Sequence, residues 1–384
     1  MKAKSISGNS VSNIKSALDT FIAEGFKPTI AVVFISVKQD RKSIISLLNA
    51  EGIDVFGATS CGEFINGKQT EGEMAILLMD LSKELYSLEF DKIEEGQIEI
   101  AANNLAEKAL KKFTNPTLLL CSTGINEKEE FFEGQKLVSS LEKSFGPHTV
   151  YFGGMAGDDW SLKGTFVFVN EKETDYGIAA LVLDGNKVQL KGMATTGWKP
   201  MGISRKATKS KANLLYEIDG QPAVDMYLKY LGKDASAKNF NVFKDVAFEY
   251  PFIVERDGNE TVLISPMKIV QDEKALFTDI EMPVGTSFWF ARPPDFDIIE
   301  EILEKADQLK ELEAAEADAL LIFSCAGRPP VLGPMVTEEN DGLANLWNAP
   351  MAGFFTYGEY GRAEKGRQNL HSGACCWVAI TENK

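Results

Sequence analysis

The sequence predicts a mixed α/β (α+β) protein of two domains, built from βαβ-like units with mixed sheets and antiparallel meanders. Three apolar runs of strand length, Thr29–Val37, Pro116–Thr123 and Ala319–Ala326, are typical of buried strands. Each run is followed by a helical pattern and then by a short stretch that combines glycine with an acidic residue. The chain therefore contains a recurring unit of strand, helix and glycine–acid strand end.

The glycine–acid stretches differ in strength. The two weaker ones are Phe56–Glu63 and Phe152–Asp159, and they differ slightly in length. The third, Met351–Gly361, joins aromatic side chains, glycines and Glu359 within one short segment. Glycine permits positive φ and close backbone approach, so all three stretches are expected to form tight strand ends.

Local patterns predict the remaining elements. Amphipathic spacing predicts helices over Arg41–Gly52, Gln97–Phe113, Glu129–Phe145, Phe296–Ala315 and Thr337–Trp347, and the turn Asp219–Pro222 predicts a further helix that ends at Gly232. Further runs predict strands over Asp54–Ala58, Glu73–Asp80, Glu84–Phe90, Thr149–Gly153, Thr165–Val169, Gly177–Asp184, Lys187–Thr195, Val246–Val254, Val262–Ser265, Thr286–Ala291 and Ala374–Thr381. The βαβ-like units thus lie beside antiparallel meanders.

Composition excludes several classes of partner. At 384 residues the chain is long enough for two domains. Its net charge of −16 repels phosphate groups, so we expect no binding to nucleic acid or to an anionic membrane. No apolar run approaches the length of a membrane-spanning helix, and the N-terminus lacks an export signal. Five cysteines without CxxC spacing favour a reduced, cytoplasmic location.

Several spaced motifs occur in an order that resembles the FIST family. They are FGGMAGDDWSLKGTFVFVN, TGWKPMG and YEIDGQPAVDMYLKYLG, followed by FSCAGRPPVLG, GFFTYGEYG and NLHSG. The resemblance covers nearly the whole chain. We therefore divide the chain into an N-terminal extension (residues 1–28), a FIST-N-like domain (29–205) and a FIST-C-like domain (206–384).

The resemblance implies a sensory, ligand-binding module of signal-transduction proteins rather than an enzyme. FIST domains are proposed to recognise small molecules such as amino acids. Some relatives bind haem, sense nitric oxide and act on histidine kinases or cyclic-di-GMP enzymes. The sequence shows no kinase or cyclase segment, so any such enzyme is expected to be a separate partner.

Ligands of open α/β sheets bind outside the carboxyl ends of the strands, which directs attention to the loops there. Arg328 directly follows a predicted strand and has the donor geometry to bind a carboxylate. An acidic side chain is expected to bind an ammonium group, while hydroxyl and aromatic side chains complete the site. The acidic candidates are Glu359, Glu63 and Asp158. The hydroxyl and aromatic candidates are Thr59, Ser60, Thr356, Tyr357 and Trp198. Such a set suits an amino-acid zwitterion.

Each candidate also has a structural interpretation. Arg328 is equally expected to pair with one of those acids and to hold the loops together. The aromatic residues are more typical of core packing, and Trp198 in Gly-Trp-Lys-Pro is typical of a packed corner.

The sequence offers little for metal or catalytic chemistry. It has two histidines, His148 and His371, and no zinc-type spacing, so we predict no metal site and no cofactor. In the haem alternative, His371 is the preferred ligand because it lies among the family-like residues. Ser60 and Cys61 lie in a near miss to a nucleophile elbow without an evident base, so an enzyme of unknown chemistry is the second alternative.

Overall fold

The computed structural model describes residues 1–94, 96–232, 242, 246–256, 260–295, 297–313, 316–364 and 366–383. Within these residues the chain forms a succession of short helices and strands. The predicted α/β class with mixed sheets is confirmed. None of the helices in these ranges combines the length and the apolar character that crossing a bilayer demands.

The recurring unit is an eight-element repeat of order βαβαββββ. Repeat 1 consists of β1 (Ala3–Gly8), α1 (Val11–Ala23), β2 (Ile30–Ile35), α2 (Arg41–Ala50), β3 (Asp54–Thr59), β4 (Glu63–Ile65), β5 (Lys68–Thr70) and β6 (Met74–Met79). Repeat 2 has the same order: β7 (Tyr86–Lys92), α3 (Ile98–Lys112), β8 (Pro116–Ser122), α4 (Gly134–Phe145), β9 (Tyr151–Met155), β10 (Val167–Val169), β11 (Lys172–Thr174) and β12 (Gly177–Asp184).

Repeat 3 begins with β13 (Val188–Thr195) and is then interrupted by an inserted sheet. The inserted sheet contains β14 (Lys199–Lys211), β15 (Leu214–Ile218), β16 (Gln221–Pro222), α5 (Ala223–Tyr230), β17 (Phe252–Arg256), β18 (Glu260–Ile264), β19 (Pro266–Val270), β20 (Ala275–Thr278) and β21 (Ser287–Arg292). Repeat 3 then continues with α6 (Ile298–Leu312), β22 (Ala319–Cys325), α7 (Arg328–Leu332), α8 (Met335–Trp347), β23 (Met351–Thr356), β24 (Glu359–Arg362), β25 (Gln368–His371) and β26 (Cys375–Glu382).

The three repeats form three six-stranded sheets of one topology. Their strand orders are β1-β6-β2-β3-β10-β11, β7-β12-β8-β9-β24-β25 and β13-β26-β22-β23-β4-β5. In each sheet the two central strands are parallel and the others are antiparallel. The terminal hairpin of each sheet comes from a different repeat, so the hairpins are exchanged in a ring: repeat 1 to 3, repeat 3 to 2, and repeat 2 to 1.

One glycine per repeat makes this exchange possible. A Cβ atom on Gly57, Gly153 or Gly353 would lie 2.2, 1.7 or 2.4 Å from a carbonyl oxygen of the neighbouring parallel strand. Opposite these glycines, the incoming hairpins place an aromatic residue in register: Phe168, Tyr360 and Phe64, respectively. At Gly57 and Gly353 the missing side chain makes room for the ring of Phe168 or Phe64, which would lie 2.5 or 2.2 Å from an added Cβ atom, and this fit favours the observed register.

The sheets enclose a central apolar core. Phe34 of repeat 1 stacks on Phe354 of repeat 3 with ring centroids 4.3 Å apart, and Phe152 of repeat 2 belongs to the same cluster. The helices cover the outer faces, as shown by α1 and α2 burying Ile14, Leu18, Ile44 and Leu48 against repeat 1.

Several boundaries differ from the sequence prediction. Residues 1–28 contain β1 and α1, so they belong to the first sheet rather than to an appendage. The helix predicted from Glu129 begins at Gly134, and residues 246–250 form turns instead of a strand. The predicted ends of the helix Phe296–Ala315 lie outside the described residues. The division at 205/206 stays a prediction, since β13 and β26 pair across it.

Candidate functional site

The loops that follow the third strand of each repeat meet at one place. The N–H of Cys61 donates to the carbonyl of Phe355 at 3.0 Å, and the N–H of Tyr357 donates to that of Met155 at 3.1 Å. The N–H of Gly157 closes the ring by donating to the carbonyl of Thr59 at 2.8 Å. The three glycine–acid stretches therefore converge.

Two of these stretches contain the same carboxylate brace. In repeat 1 the hydroxyl of Ser60 donates to Glu63, whose second oxygen accepts the N–H of Glu73 at 3.0 Å. In repeat 3 the hydroxyl of Thr356 donates to Glu359 at 2.6 Å, and the second oxygen accepts the N–H of Ala374 at 3.0 Å. Glu73 and Ala374 both precede the last strand of their repeat. We call these two arrangements the glutamate braces.

Burial dominates the electrostatics of the braces. Neither glutamate is exposed to solvent. Removal from water raises the pKa of Glu63 to about 8 and that of Glu359 to about 8, although their hydrogen bonds act in the opposite direction. A carboxyl that favours its neutral form and has all its partners inside the fold is suited to holding loops together.

Asp158 of repeat 2 has a different structural role. It accepts the hydroxyl of Ser161 at 2.7 Å and the N–H groups of Leu162, Lys163 and Gly164 at 3.1, 2.7 and 3.1 Å. The phenol of Tyr357 donates to the same carboxylate. Asp158 thus organises the loop after β9 and ties it to repeat 3.

Cys61 lies beside this pair and is not activated. Burial raises the pKa of its thiol to about 12, while hydrogen bonding to Tyr357 lowers it less strongly. Since the thiolate is the reactive form, Cys61 is a poor nucleophile here. The neighbouring Ser60 hydroxyl is committed to its brace.

Arg328 is buried completely, and its partners belong to the protein. Its Nε donates to Glu339 at 3.0 Å, and Nη2 makes a second bond to the same carboxylate. Nη1 donates to the carbonyls of Thr196 and Gly373, each at 2.8 Å. The geometry favours the structural interpretation of Arg328, with Glu339 as the acid instead of the three candidates from the sequence.

Trp198 has a similar packing role. It is buried, and its Nε1 donates to the carbonyl of Glu249 at 3.1 Å. The guanidinium of Arg328 lies 5.7 Å from its ring centroid. The residue therefore forms the packed corner that its Gly-Trp-Lys-Pro context predicts.

A cavity of about 580 Å³ lies beside the convergence point, at the carboxyl ends of β8, β9, β22 and β23. We call it the strand-end cavity. The inserted sheet covers it. Its lining includes the apolar and aromatic side chains Phe131, Phe132, Met155, Trp160, Leu162, Phe248, Met267, Phe277, Ile280, Tyr357 and Leu370, and the polar or charged side chains Glu99, Glu133, Lys136, Ser139, Lys143, Asn213, Asp279, Glu281, Thr356, His371 and Ser372.

The cavity contains some of the predicted site residues and omits others. Thr356, Tyr357 and His371 are in its lining. The residues outside the lining are Arg328, Glu359, Glu63, Asp158, Thr59, Ser60 and Trp198. The inserted sheet supplies lining residues that the sequence reasoning missed, with Asp279 foremost. The useful signal was position: Asp279 directly follows a strand, and the loop it opens leads to another strand.

His371 is the residue that would hold haem in the haem alternative. It lines the cavity, but its ring is buried, with Nε2 3.3 Å from the carbonyl oxygen of Gly361. To ligate iron through Nε2, it would have to leave that contact, so the arrangement does not fit an imidazole-held haem as it stands. Within the described residues there is no cluster of three or more His, Cys, Asp or Glu side chains suited to a metal ion.

A ligand-sized cavity at strand ends, framed by βα repeats, is the kind of place where α/β proteins bind small molecules. The FIST N domain matches residues 29–221 and the FIST C domain matches residues 223–362, so the chain belongs to the FIST family. FIST domains are sensory domains of signalling proteins. The two matches meet in the inserted sheet, next to β16 and inside the third repeat.

The chain is also similar to an uncharacterized protein of Methanocaldococcus jannaschii. The identity is 26% over 219 residues, which are 52% of this chain and 40% of that protein. The match thus spans less than half of that relative's length.

Proposed function

We propose that this protein is a sensor that binds a small organic ligand in the strand-end cavity. One observation carries the proposal: the lining is drawn from both the FIST N region and the FIST C region. A volume of about 580 Å³ lies within the range of pockets that enclose small ligands. A guest that contacts both regions stabilises the arrangement in which both contacts are made.

The lining suits a ligand with an apolar body and few polar groups. Trp160 forms an aromatic wall with Phe248 and Tyr357, at ring-centroid distances of 5.4 and 5.8 Å. Lysines and carboxylates lie around the same space, which is compatible with a zwitterion. We therefore favour an amino acid with an apolar side chain, the ligand class that the family suggests.

Signal output requires another molecule. We infer that a separate histidine kinase or cyclic-di-GMP enzyme reads the ligand-dependent arrangement of the FIST N and FIST C regions. Co-purification with such an enzyme, with and without the amino acid that binds, tests this step.

Isothermal titration of the purified protein against the proteinogenic L-amino acids tests ligand binding. Ser139 lies on α4 in the cavity lining, so Ser139→Trp fills the space and is expected to weaken binding at least about tenfold. Glu142→Trp, on the same helix but outside the lining, is the matched control and is expected to bind normally. Equal binding by both variants would remove the ligand from this cavity.

Haem is the weaker, second candidate: His371 is in the lining, but it would have to give up its contact with the carbonyl oxygen of Gly361 to bind iron through Nε2. Haem bound through this residue would supply a site for a diatomic gas. A Soret band that appears on haem addition and is absent in His371→Ala would support this candidate, and an unchanged band in the variant would reject His371 as the ligand.

A further inference from the structure

Asp279 follows β20 and is one of the residues that line the strand-end cavity. Its Oδ1 accepts the N–H of Ser265 at 2.7 Å and the N–H of Ile280 at 2.8 Å. The hydroxyl of Ser372, another lining residue, also bonds to this carboxyl. The side chain is therefore held in one orientation at the cavity wall.

The charge of Asp279 has no structural explanation. The two backbone donors use a single oxygen, so an asparagine in its place would accept the same bonds through its own Oδ1. Within the described residues, the groups that act most strongly on its ionisation are one hydroxyl and backbone N–H groups rather than a cation. Burial raises its pKa to about 6, which leaves it ionised at neutral pH.

A fixed carboxylate in a cavity wall that also contains aromatic and other apolar side chains favours a cationic ligand. Removing a charge from water is costly unless an opposite charge accompanies it. A protonated amine meets this need because it supplies both the opposite charge and N–H donors. The aromatic wall around Trp160 would receive the apolar part of such a molecule.

We propose that the ligand of the strand-end cavity carries a protonated amine and that Asp279 is the residue that binds it. This inference rests on the proposed function and adds the chemical group that the site selects. It also moves the recognition of the ammonium group from the glycine–acid stretches to the inserted sheet.

The test uses three probes that share a phenyl ring and differ in charge: 2-phenylethylamine, 2-phenylethanol and 3-phenylpropionate. Isothermal titration at pH 7.5 is expected to show the amine binding about tenfold or more tightly than the alcohol, and the acid binding most weakly. In Asp279→Asn, the amine should lose at least about tenfold in affinity while the alcohol is unchanged.

Asp272→Asn makes the same chemical change in the turn before β20, outside the cavity lining, and is the matched control. It should bind all three probes as the wild type does. Thermal denaturation checks that Asp279→Asn is folded, and binding of the uncharged alcohol by that variant shows that its cavity is intact.

The outcomes separate this inference from the proposed function. Equal affinity of the wild type for amine and alcohol, or unchanged amine affinity in Asp279→Asn, would overturn the role of Asp279 and leave the cavity as a ligand site. Failure of all three probes to bind would also overturn it. The amino-acid titration with Ser139→Trp then decides the proposed function independently.

Discussion

Repeats 1 and 3 contain the same glutamate brace, yet repeat 3 lines the strand-end cavity and repeat 1 does not. In each, the hydroxyl three residues before the glutamate donates to one carboxyl oxygen. The backbone N–H of the residue just before the last strand donates to the other. Glu63 has this environment although no residue of repeat 1 lines the strand-end cavity, so the brace is a framework feature. The same conclusion then applies to Glu359.

Repeat 3 differs from repeat 1 by the inserted sheet and by a buried ion pair. The inserted sheet separates β13 from α6, and Arg328 after β22 forms a buried ion pair with Glu339. After β2, repeat 1 instead has the hydroxyl of Ser36, which donates to Asp159 at 2.6 Å. A repeated core thus supplies rigidity, and the cavity lies where the inserted sheet meets the strand ends of repeats 2 and 3.

We expect the largest loss of stability from removing the buried ion pair of Arg328 and Glu339, which belongs to repeat 3. Arg328→Ala leaves Glu339 buried without its counter-charge and frees the carbonyls of Thr196 and Gly373. We expect a loss of roughly 3–5 kcal/mol in the free energy of unfolding, measured by urea denaturation.

A double replacement shows whether the loss of stability in Arg328→Ala comes from the buried, unpaired charge of Glu339. Arg328→Met combined with Glu339→Leu removes both charges and keeps apolar volume, so it should be markedly more stable than Arg328→Ala. If the double variant is as unstable as the single one, the ion pair itself contributes the stability and the desolvation argument is wrong.

The braces should respond alike to pH. The pKa of Glu63 and that of Glu359 are raised to about 8, against 4.5 in an unfolded chain, by burial. Between these pH values the native protein keeps protons that the unfolded chain has released, so its stability falls as pH rises from about 4.5 to about 8. The slope is roughly 1 kcal/mol per pH unit for each glutamate.

Glutamine variants sharpen this comparison because glutamine resembles the protonated acid. Glu63→Gln and Glu359→Gln should each flatten the fall in unfolding free energy between pH 5 and 8, and by similar amounts. Urea denaturation across this range measures the slopes. A change in only one variant would show that the two braces are not equivalent in energy, despite their shared geometry.

The repeated part could be predicted well from the sequence because each repeat has a recognisable apolar run and a glycine–acid stretch. The runs around Val32, Leu119 and Ile322 are apolar over strand length, and the glycine–acid stretches follow them at comparable distances. The three glycine–acid stretches meet in the structure, but Ser60, Arg328 and Glu359 do not line the cavity. Thr356, Tyr357 and His371 reach the cavity because they end or adjoin strands of repeat 3.

The remaining features depend on contacts that local patterns do not encode. Arg328 carried the chemistry of a carboxylate binder, but its partner, Glu339, lies on the next long helix and resembles an ordinary surface acid in sequence. Asp279 reads as a turn residue, and only the placement of the inserted sheet brings it to the cavity. The ring of exchanged hairpins is a pairing among distant segments, which periodicity cannot assign.

The smallest effect concerns how each repeat holds the hairpin it receives. In repeat 1, Arg41 at the start of α2 makes two bonds to Glu173 of the incoming β11, with Nε to Oε2 at 2.6 Å and Nη2 to Oε1 at 3.2 Å. Its guanidinium also lies 4.2 Å from the ring centroid of Phe166. In repeat 3, the equivalent contact is a weaker one between neutral groups, from Thr337 of α8 to Gln69 of β5 at 3.2 Å.

Because the Arg41 pair is partly exposed, solvent screens it, and we expect its removal to cost only about 1 kcal/mol. A double-mutant cycle with Arg41→Ala and Glu173→Ala, followed by urea denaturation, isolates the coupling between the two side chains. Thr337→Val in repeat 3 should cost less. The register of each hairpin is fixed by the aromatic ring seated over its glycine, so neither change should release a hairpin. Selective loss of hydrogen-exchange protection in β10 and β11 of Arg41→Ala would instead show that the ion pair, rather than the seated ring, keeps the exchanged hairpin in place.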